Sequence, residues 1–255
     1  DYEDFYTLKS DFGWEKLFNL MDTLNNHPNF INQILNVDRT LWMHALNYTM
    51  INFDSYIGYA QNYYLYKDQA HQWNPILWDL NMSFGGFRIT DASQLYFGGF
   101  DIQQAQNMDP LIHYNYISVS PRPLMTNIFN LARHRKMYLA HIRTIMEENF
   151  QNQSYFFRSQ QLQSLIDNDV QSDTNKFYSY SDFITNLTGQ VALPSSMCPG
   201  ITQLMDARSS YLSSYIDFDT VTNAITAYSG EPTISNITHL PQNFLNGDDV
   251  YVLAD

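Results

Sequence analysis

The chain has 255 residues, and its 13 Lys and Arg stand against 26 Asp and Glu for a formal net charge of -13. That balance disfavours nucleic acid and anionic membrane as partners, because neutralising phosphates takes clustered cationic side chains. A hydrophobic content of 44% excludes disorder and fills the core of one domain plus a short extension, while the 16% aromatic share, led by 19 Tyr and 17 Phe, is unusually rich.

Residues 13–24 space Trp14, Leu17, Phe18, Leu20, Met21 and Leu24 as one face of an amphipathic helix, which His27-Pro28 ends. Asp38 reads as the N-cap of a second helix whose apolar face, Leu41, Trp42, Ala45, Leu46 and Met50, leads into Asp54. Residues 62–67 alternate aromatic and aliphatic side chains, 68–72 read as a turn, and 73–80 form a second apolar run interrupted by Pro75. This is the pattern of a β-hairpin, and antiparallel pairing brings Asn62 and Asp79 to the same end of it. A Gly-rich aromatic loop over 84–106 is long enough to be functional. Helices are predicted over 122–131, 133–150, 155–169, 175–187 and 201–216. From Ile234 the pattern changes to extended segments separated by an Asn246-Gly turn. A two-stranded ribbon is barely stable alone, so 234–255 reads as the start of a following β-sandwich or as pairing with something outside the chain, with 218–233 as a linker. The predicted fold class is therefore mainly α with a small β-hairpin, an α+β lobe over 1–217. No apolar stretch approaches the length of a membrane span, so no membrane insertion is expected.

The chemistry concentrates in residues 52–86. Asp54, Asn62 and Asp79 follow the order in which a protein kinase presents its catalytic carboxylate, metal-binding amide and metal-binding carboxylate. Hard oxygen ligands suit magnesium, which keeps several waters and takes one or two carboxylates from protein. A carboxylate just past a helix C-terminus, as Asp54 is, gains nothing from the helix dipole and asks for another compensation such as a metal. Asp54-Ser followed by Gly58 is also ordinary turn chemistry, and Asn62 also suits a strand-edge amide bonding backbone. Asp79, between Trp78 and Leu80, is expected to be at least partly buried and hence paired or on a metal. Arg88, behind the Phe-Gly-Gly turn, and Arg122, opening a helix, could clamp a phosphate by their planar forks or serve as surface or ion-pair arginines. The seven histidines show no zinc-protease spacing; His134 and His141, seven apart, could share a helix face and read as core or solvated residues. Cys198 is alone, which leaves no intramolecular disulfide and no cysteine zinc site within these residues.

The runs Asp54-Ser-Tyr-Ile-Gly, Asn62-Tyr-Tyr-Leu-Tyr and Trp78-Asp-Leu-Asn-Met-Ser-Phe-Gly resemble the CotH (spore coat protein H) family of atypical protein kinases. Arg122-Pro-Leu-Met with Tyr138-Leu-Ala-His-Ile is similar to the family's central helical segment, and Asp206-Ala-Arg-Ser-Ser-Tyr-Leu to its closing helix. The resemblance implies a kinase-like C-terminal lobe that transfers phosphate from a nucleoside triphosphate, ATP, to a protein hydroxyl with Mg2+ or Mn2+. Asp54 matches the catalytic aspartate, Asp79 the metal aspartate and Asn62 the family's asparagine. Two positions depart from the pattern: Asn81 stands where the family commonly has a second aspartate, and Gln61 where it has a histidine. Both bear on turnover more than on fold, since losing a carboxylate could lower metal affinity. A kinase also needs a nucleotide lobe, and before Asp54 there are only Gly13, Lys9 and Lys16 to build one, so the sequence is expected to begin inside a longer protein that supplies it. The other functional reading is a catalytically inactive kinase-like scaffold, a binding module of an exported multidomain protein. Abundant Tyr and Asn with little Lys suits the extracellular surface of a bacterium.

Overall fold

The computed structural model describes residues 2–88, 99–115, 121–194, 197–215, 238–240 and 251–253. Its helices are α1 (Trp14–Asn26), α2 (Val37–Thr49), α3 (Tyr56–Tyr59), α4 (Ile102–Gln106), α5 (Ile112–Asn115), α6 (Pro123–Phe129), α7 (Ala132–Ile145), α8 (Ser154–Ser172), α9 (Tyr180–Thr185) and α10 (Ile201–Tyr215). A hairpin of β1 (Tyr63–Lys67) and β2 (Trp73–Leu77) lies between α3 and α4, two-residue strands β3 (Val191–Ala192) and β4 (Met197–Cys198) precede α10, and β5 (Thr238–Leu240) pairs with β6 (Tyr251–Leu253). The chain is mainly helical with a small antiparallel hairpin, as its residue pattern implies.

Helix α2 is buried on almost every side. Thr40, Leu41, His44, Ala45, Tyr48 and Thr49 are fully inaccessible, and the helix packs against α7, α6 and β2. Removing each of its large apolar side chains from water contributes about 1.5–3 kcal/mol. The residue that caps it is Asn36, not Asp38: the Asn36 side chain accepts from the Arg39 N–H (3.0 Å) and donates to the Asn74 side chain (3.0 Å). One amide thus starts α2 and fastens it to β2. Asp38 instead sits in the first turn and meets His141 of α7, whose Nε2 lies 2.8 Å from Asp38 Oδ1 while its ring stacks on Trp42. His134 is buried with Nδ1 on the Ile128 carbonyl. Both histidines are spent on helix packing.

The hairpin pairs Tyr63 with Leu77, Leu65 with Pro75 and Lys67 with Trp73. Asp68 closes its turn, accepting from the Gln72 N–H (2.9 Å) and the Asn74 side chain (2.8 Å). The second strand stops at Leu77, short of residue 80, because Asp79 takes a left-handed φ of 50° that no extended ladder can continue. The later helices match the predicted ones in order with shifted ends; α7 runs into a π-turn over Met146–Phe150 before α8. Helix α9 is shorter than predicted, since Ser179 and Asp182 form a capping box that starts it at Tyr180. The short α3, α4 and α5 carry too few apolar repeats to be legible as helices. The Asn246-Gly turn and the linker at 218–233 lie outside the described residues. Among those residues no helix is long and apolar enough to cross a membrane.

Arg208 of α10 is the largest fully buried side chain. Its Nε donates to the carbonyls of Tyr48 (3.1 Å) and Thr49 (2.9 Å), Nη2 to Tyr48 (2.6 Å), and Nη1 to Ala105 and Met108 (3.1 Å each). These oxygens lie at the C-terminal ends of α2 and α4, where helix dipoles place partial negative charge. Burial pushes the guanidinium down to about 10, which leaves it cationic at neutral pH. Arg208→Ala would take these buried carbonyls' side-chain donors away. The expected loss in unfolding free energy is roughly 3–5 kcal/mol, read by urea denaturation, and Lys at this position should not restore it because an ammonium cannot span the fork.

His44 generates a pH dependence. Its Nε2 donates to the Leu124 carbonyl (3.0 Å), while Nδ1 is buried with no partner. Burial pushes the imidazole down from 6.5 to about 4, partly offset by the bond to Leu124. The folded protein therefore keeps His44 neutral where the unfolded chain takes up a proton. Its share of stability is complete above about pH 6.5 and is lost as pH falls towards 4, roughly 3 kcal/mol across that window. Denaturation curves at several pH values should show His44→Gln flattening that segment relative to the native protein.

Candidate active site

The exit of α2 is folded back on itself. Ile51 adopts a left-handed φ of 50°, the Asn52 N–H reaches the Asn47 carbonyl (2.8 Å), and the Asn52 side chain donates to that of Asn47 (3.0 Å). Phe53 is buried edge-on to Tyr48, Phe100 and His113, and the Ser55 hydroxyl donates to the Asn52 carbonyl (2.7 Å). Asp54 is half-buried between these two fixed neighbours, so the backbone sets where its carboxylate emerges.

The chain then turns through α3 and returns to Asp54. A Cβ at Gly58 would stand 2.0 Å from the Phe53 carbonyl oxygen, so only glycine lets α3 lie this close. Arg122 donates from Nε to the Ile57 carbonyl (3.0 Å) and from Nη2 to the Gly58 carbonyl, while the Tyr56 hydroxyl accepts from the Leu124 N–H (2.9 Å). Helix α6 therefore holds α3 from outside. Left-handed Ala60 reverses the chain. Gln61 Nε2 then donates to Asp54 Oδ1, and Asn62 Nδ2 donates to the Asp54 backbone carbonyl (2.8 Å). With its amide nitrogen used in this way, Asn62 keeps Oδ1 as an acceptor.

Asp79 comes to the same end of the hairpin. The Trp78 N–H bonds the Asn62 carbonyl (3.2 Å), one step past the Tyr63–Leu77 pair, and Asp79 is the next residue. The sequence predicts partial burial for Asp79, whereas it is exposed, with Trp78 56% and Leu80 42% exposed beside it. The reason is local: a two-stranded ribbon has no third layer over its outer face, so apolar neighbours do not carry the carboxylate inside. From Asp79 the chain bends through Leu80–Ser83 and closes on the α2 exit, with the Phe84 N–H on the Met50 carbonyl (2.7 Å) and the Gly85 N–H on Ile51 (3.2 Å). Both aspartates thus stand on segments anchored to Met50–Asn52.

The two arginines lie in the supporting structure. Arg88 is buried, donates from Nη1 to the Phe100 carbonyl (2.8 Å), and faces Cys198 and Asp101; burial lowers its guanidinium from the ordinary value. Burial also lowers Arg122. The hydrogen bonds described for both arginines go to carbonyl oxygens. Gly85, at φ 72°, permits the turn that brings the segment against Pro199. Among the described residues no three His, Cys, Asp or Glu side chains gather as a metal centre. Asp79 and the Asn62 amide oxygen are instead hard oxygen donors, the kind magnesium accepts when it keeps waters of its own. Gln61 escaped the sequence as a partner of Asp54, because the six residues between them hold only the one-turn α3 and no period signals the reversal at Ala60. Gly58→Ala tests this closure: overpacking against Phe53 should cost roughly 1–3 kcal/mol of stability by denaturation and displace the Gln61 and Asn62 contacts on Asp54.

The family model for CotH kinase protein matches residues 3–219, a span that holds the Asp54 loop, the hairpin and every helix through α10. No match is found among curated proteins or among solved structures. The matched span is most of the chain and includes each element that builds the site, and on that ground this chain belongs to the CotH kinase family.

Proposed function

We propose that the chain is the C-terminal lobe of a metal-dependent protein kinase that transfers phosphate from ATP to a hydroxyl of a protein substrate, with Asp54 as the base and Asn62 and Asp79 as ligands of Mg2+ or Mn2+. The observation that carries this reading is the linkage of the three: the Asn62 side chain on the Asp54 carbonyl, and the Asn62 carbonyl on the Trp78 N–H beside Asp79. Phosphoryl transfer asks the protein for position and charge more than for covalent chemistry, and a linked set supplies position. Asp54 receives the acceptor's proton as its oxygen attacks phosphorus. A cation held by Asn62 and Asp79 would supply positive charge against the phosphate oxygens. Arg122 contributes by keeping α3 closed over the Asp54 loop, and Arg88 by fixing the segment behind Gly85 to Phe100. The nucleotide lobe and a following β domain are proposed as further parts of the same protein, placed on a bacterial surface.

A second reading, a kinase-like binding module without turnover, draws on the exposed side chains of Tyr59, Tyr64, Tyr66 and Trp78 at and beside the hairpin, which could meet a partner. The deciding experiment is phosphate transfer from labelled ATP to generic protein substrates by the full-length protein carrying this sequence, with Mg2+ or Mn2+. Asp54→Ala should lower the rate by roughly 10²–10⁴-fold with Mn2+ binding retained, whereas Asp79→Ala should lose both. A well-folded parent that neither transfers phosphate nor binds nucleotide would move the reading to the binding module.

A further inference from the structure

The geometry points to Gln61 as the positioning residue of the Asp54 carboxylate, and to Oδ2 as the oxygen that takes the proton. The inference rests on the phosphoryl-transfer reading above and adds to it which atom reacts and what aims it.

Asp54 is held at two points by adjacent residues. Gln61 Nε2 donates to Oδ1, and Asn62 Nδ2 donates to the backbone carbonyl at 2.8 Å. The first contact fixes the rotation of the carboxylate, the second the peptide that carries it. Among the described residues Oδ2 has no hydrogen-bond donor, so the two carboxylate oxygens differ in what they can still accept. Gln61 is exposed, and an exposed side chain gains little from such a bond unless the backbone delivers it already aimed. The loop does this: the Gln61 N–H approaches the Ser55 carbonyl (3.5 Å), Ala60 is left-handed, and Arg122 clamps the Ile57 and Gly58 carbonyls between the two ends.

The residue type suits the task. A carboxamide donates without charge and does not titrate, so it orients Asp54 without setting a cation beside it. In the step itself the acceptor's O–H bond breaks as its oxygen bonds phosphorus. The proton passes to Asp54 Oδ2, the bond from phosphorus to the bridging oxygen of the nucleotide breaks, and the nucleoside diphosphate leaves with that electron pair. Asp54 afterwards returns its proton to solvent.

The test compares Gln61→Leu, Gln61→Glu and Gln61→His with the native residue in the full-length protein, using the labelled-ATP assay. Leu keeps the bulk and removes the donor; kcat should fall about tenfold while KM for ATP and the thermal midpoint stay close to native, as expected for a lost orienting hydrogen bond. Glu should cost more, because it sets a second carboxylate against Asp54. His restores an N–H donor and should recover most of the rate. Native kcat in Gln61→Leu would overturn the inference alone, as would a fall in kcat that tracks a fall in KM-competent folded protein and thermal midpoint. A parent without transfer would overturn the kinase reading and this inference with it.

Discussion

Everything at the candidate site hangs from the end of one helix, and Arg208 holds that end. A buried cation is expensive unless hydrogen bonds and opposite charge surround it. Here the hydrogen bonds come from main-chain oxygens: Tyr48 and Thr49 at the end of α2, Ala105 at the end of α4, and Met108 just after it. Carbonyls at helix C-termini are the groups a fold most needs to satisfy, and one guanidinium satisfies several of them while tying α10 to both helices. The side chain thereby fixes the point at which the chain leaves α2. Met50 to Asn52 follow at once, and both aspartate-bearing segments are bonded to that stretch.

Position at the site is built mainly from neutral groups. The Asn47–Asn52 pair, Gln61 and Asn62 do with amides what ion pairs do elsewhere. In a chain of net charge -13 such amides set position without drawing on its few cations. The arginines near them are used on carbonyls, shaping loops. The same division appears in the core, where edge-to-face aromatic contacts join Tyr48 to Phe53 and Tyr138, and the Tyr48 hydroxyl meets His113 Nδ1 at 2.6 Å. Aromatic bulk supplies the packing, and the hydroxyls of Tyr48 and Tyr138 are hydrogen-bonded.

The periphery is looser in construction. Helix α8 runs 19 residues without a single buried side chain, held to α9 by Gln163 on the Phe183 carbonyl and by Tyr180 on Asp167. It joins the body through the π-turn after α7, where Phe150 packs on Tyr155. Stability is concentrated around α2, α6, α7 and α10, the elements that carry the site, and thins towards α8 and α9.

The amino-acid sequence by itself determined the helical class, the hairpin and the approach of Asn62 to Asp79, because each follows from a short-range period: 3.6 for the helices, 2 for the strands, and antiparallel pairing between them. It also carried the family, since Asp54, Asn62 and Asp79 sit in motifs whose neighbours are contiguous. What only the tertiary structure decided depends on groups far apart in the chain. Asn36 rather than Asp38 caps α2 because Asn74 is there to receive its other end. Asp79 is exposed because, among the described residues, no third layer covers the outer face of the ribbon. Gln61 meets Asp54 because Arg122, some sixty residues on, closes the turn between them. Periodicity reports which face of an element is apolar; it is silent on where a polar side chain finds its partner, since that partner is chosen by the packing of other elements.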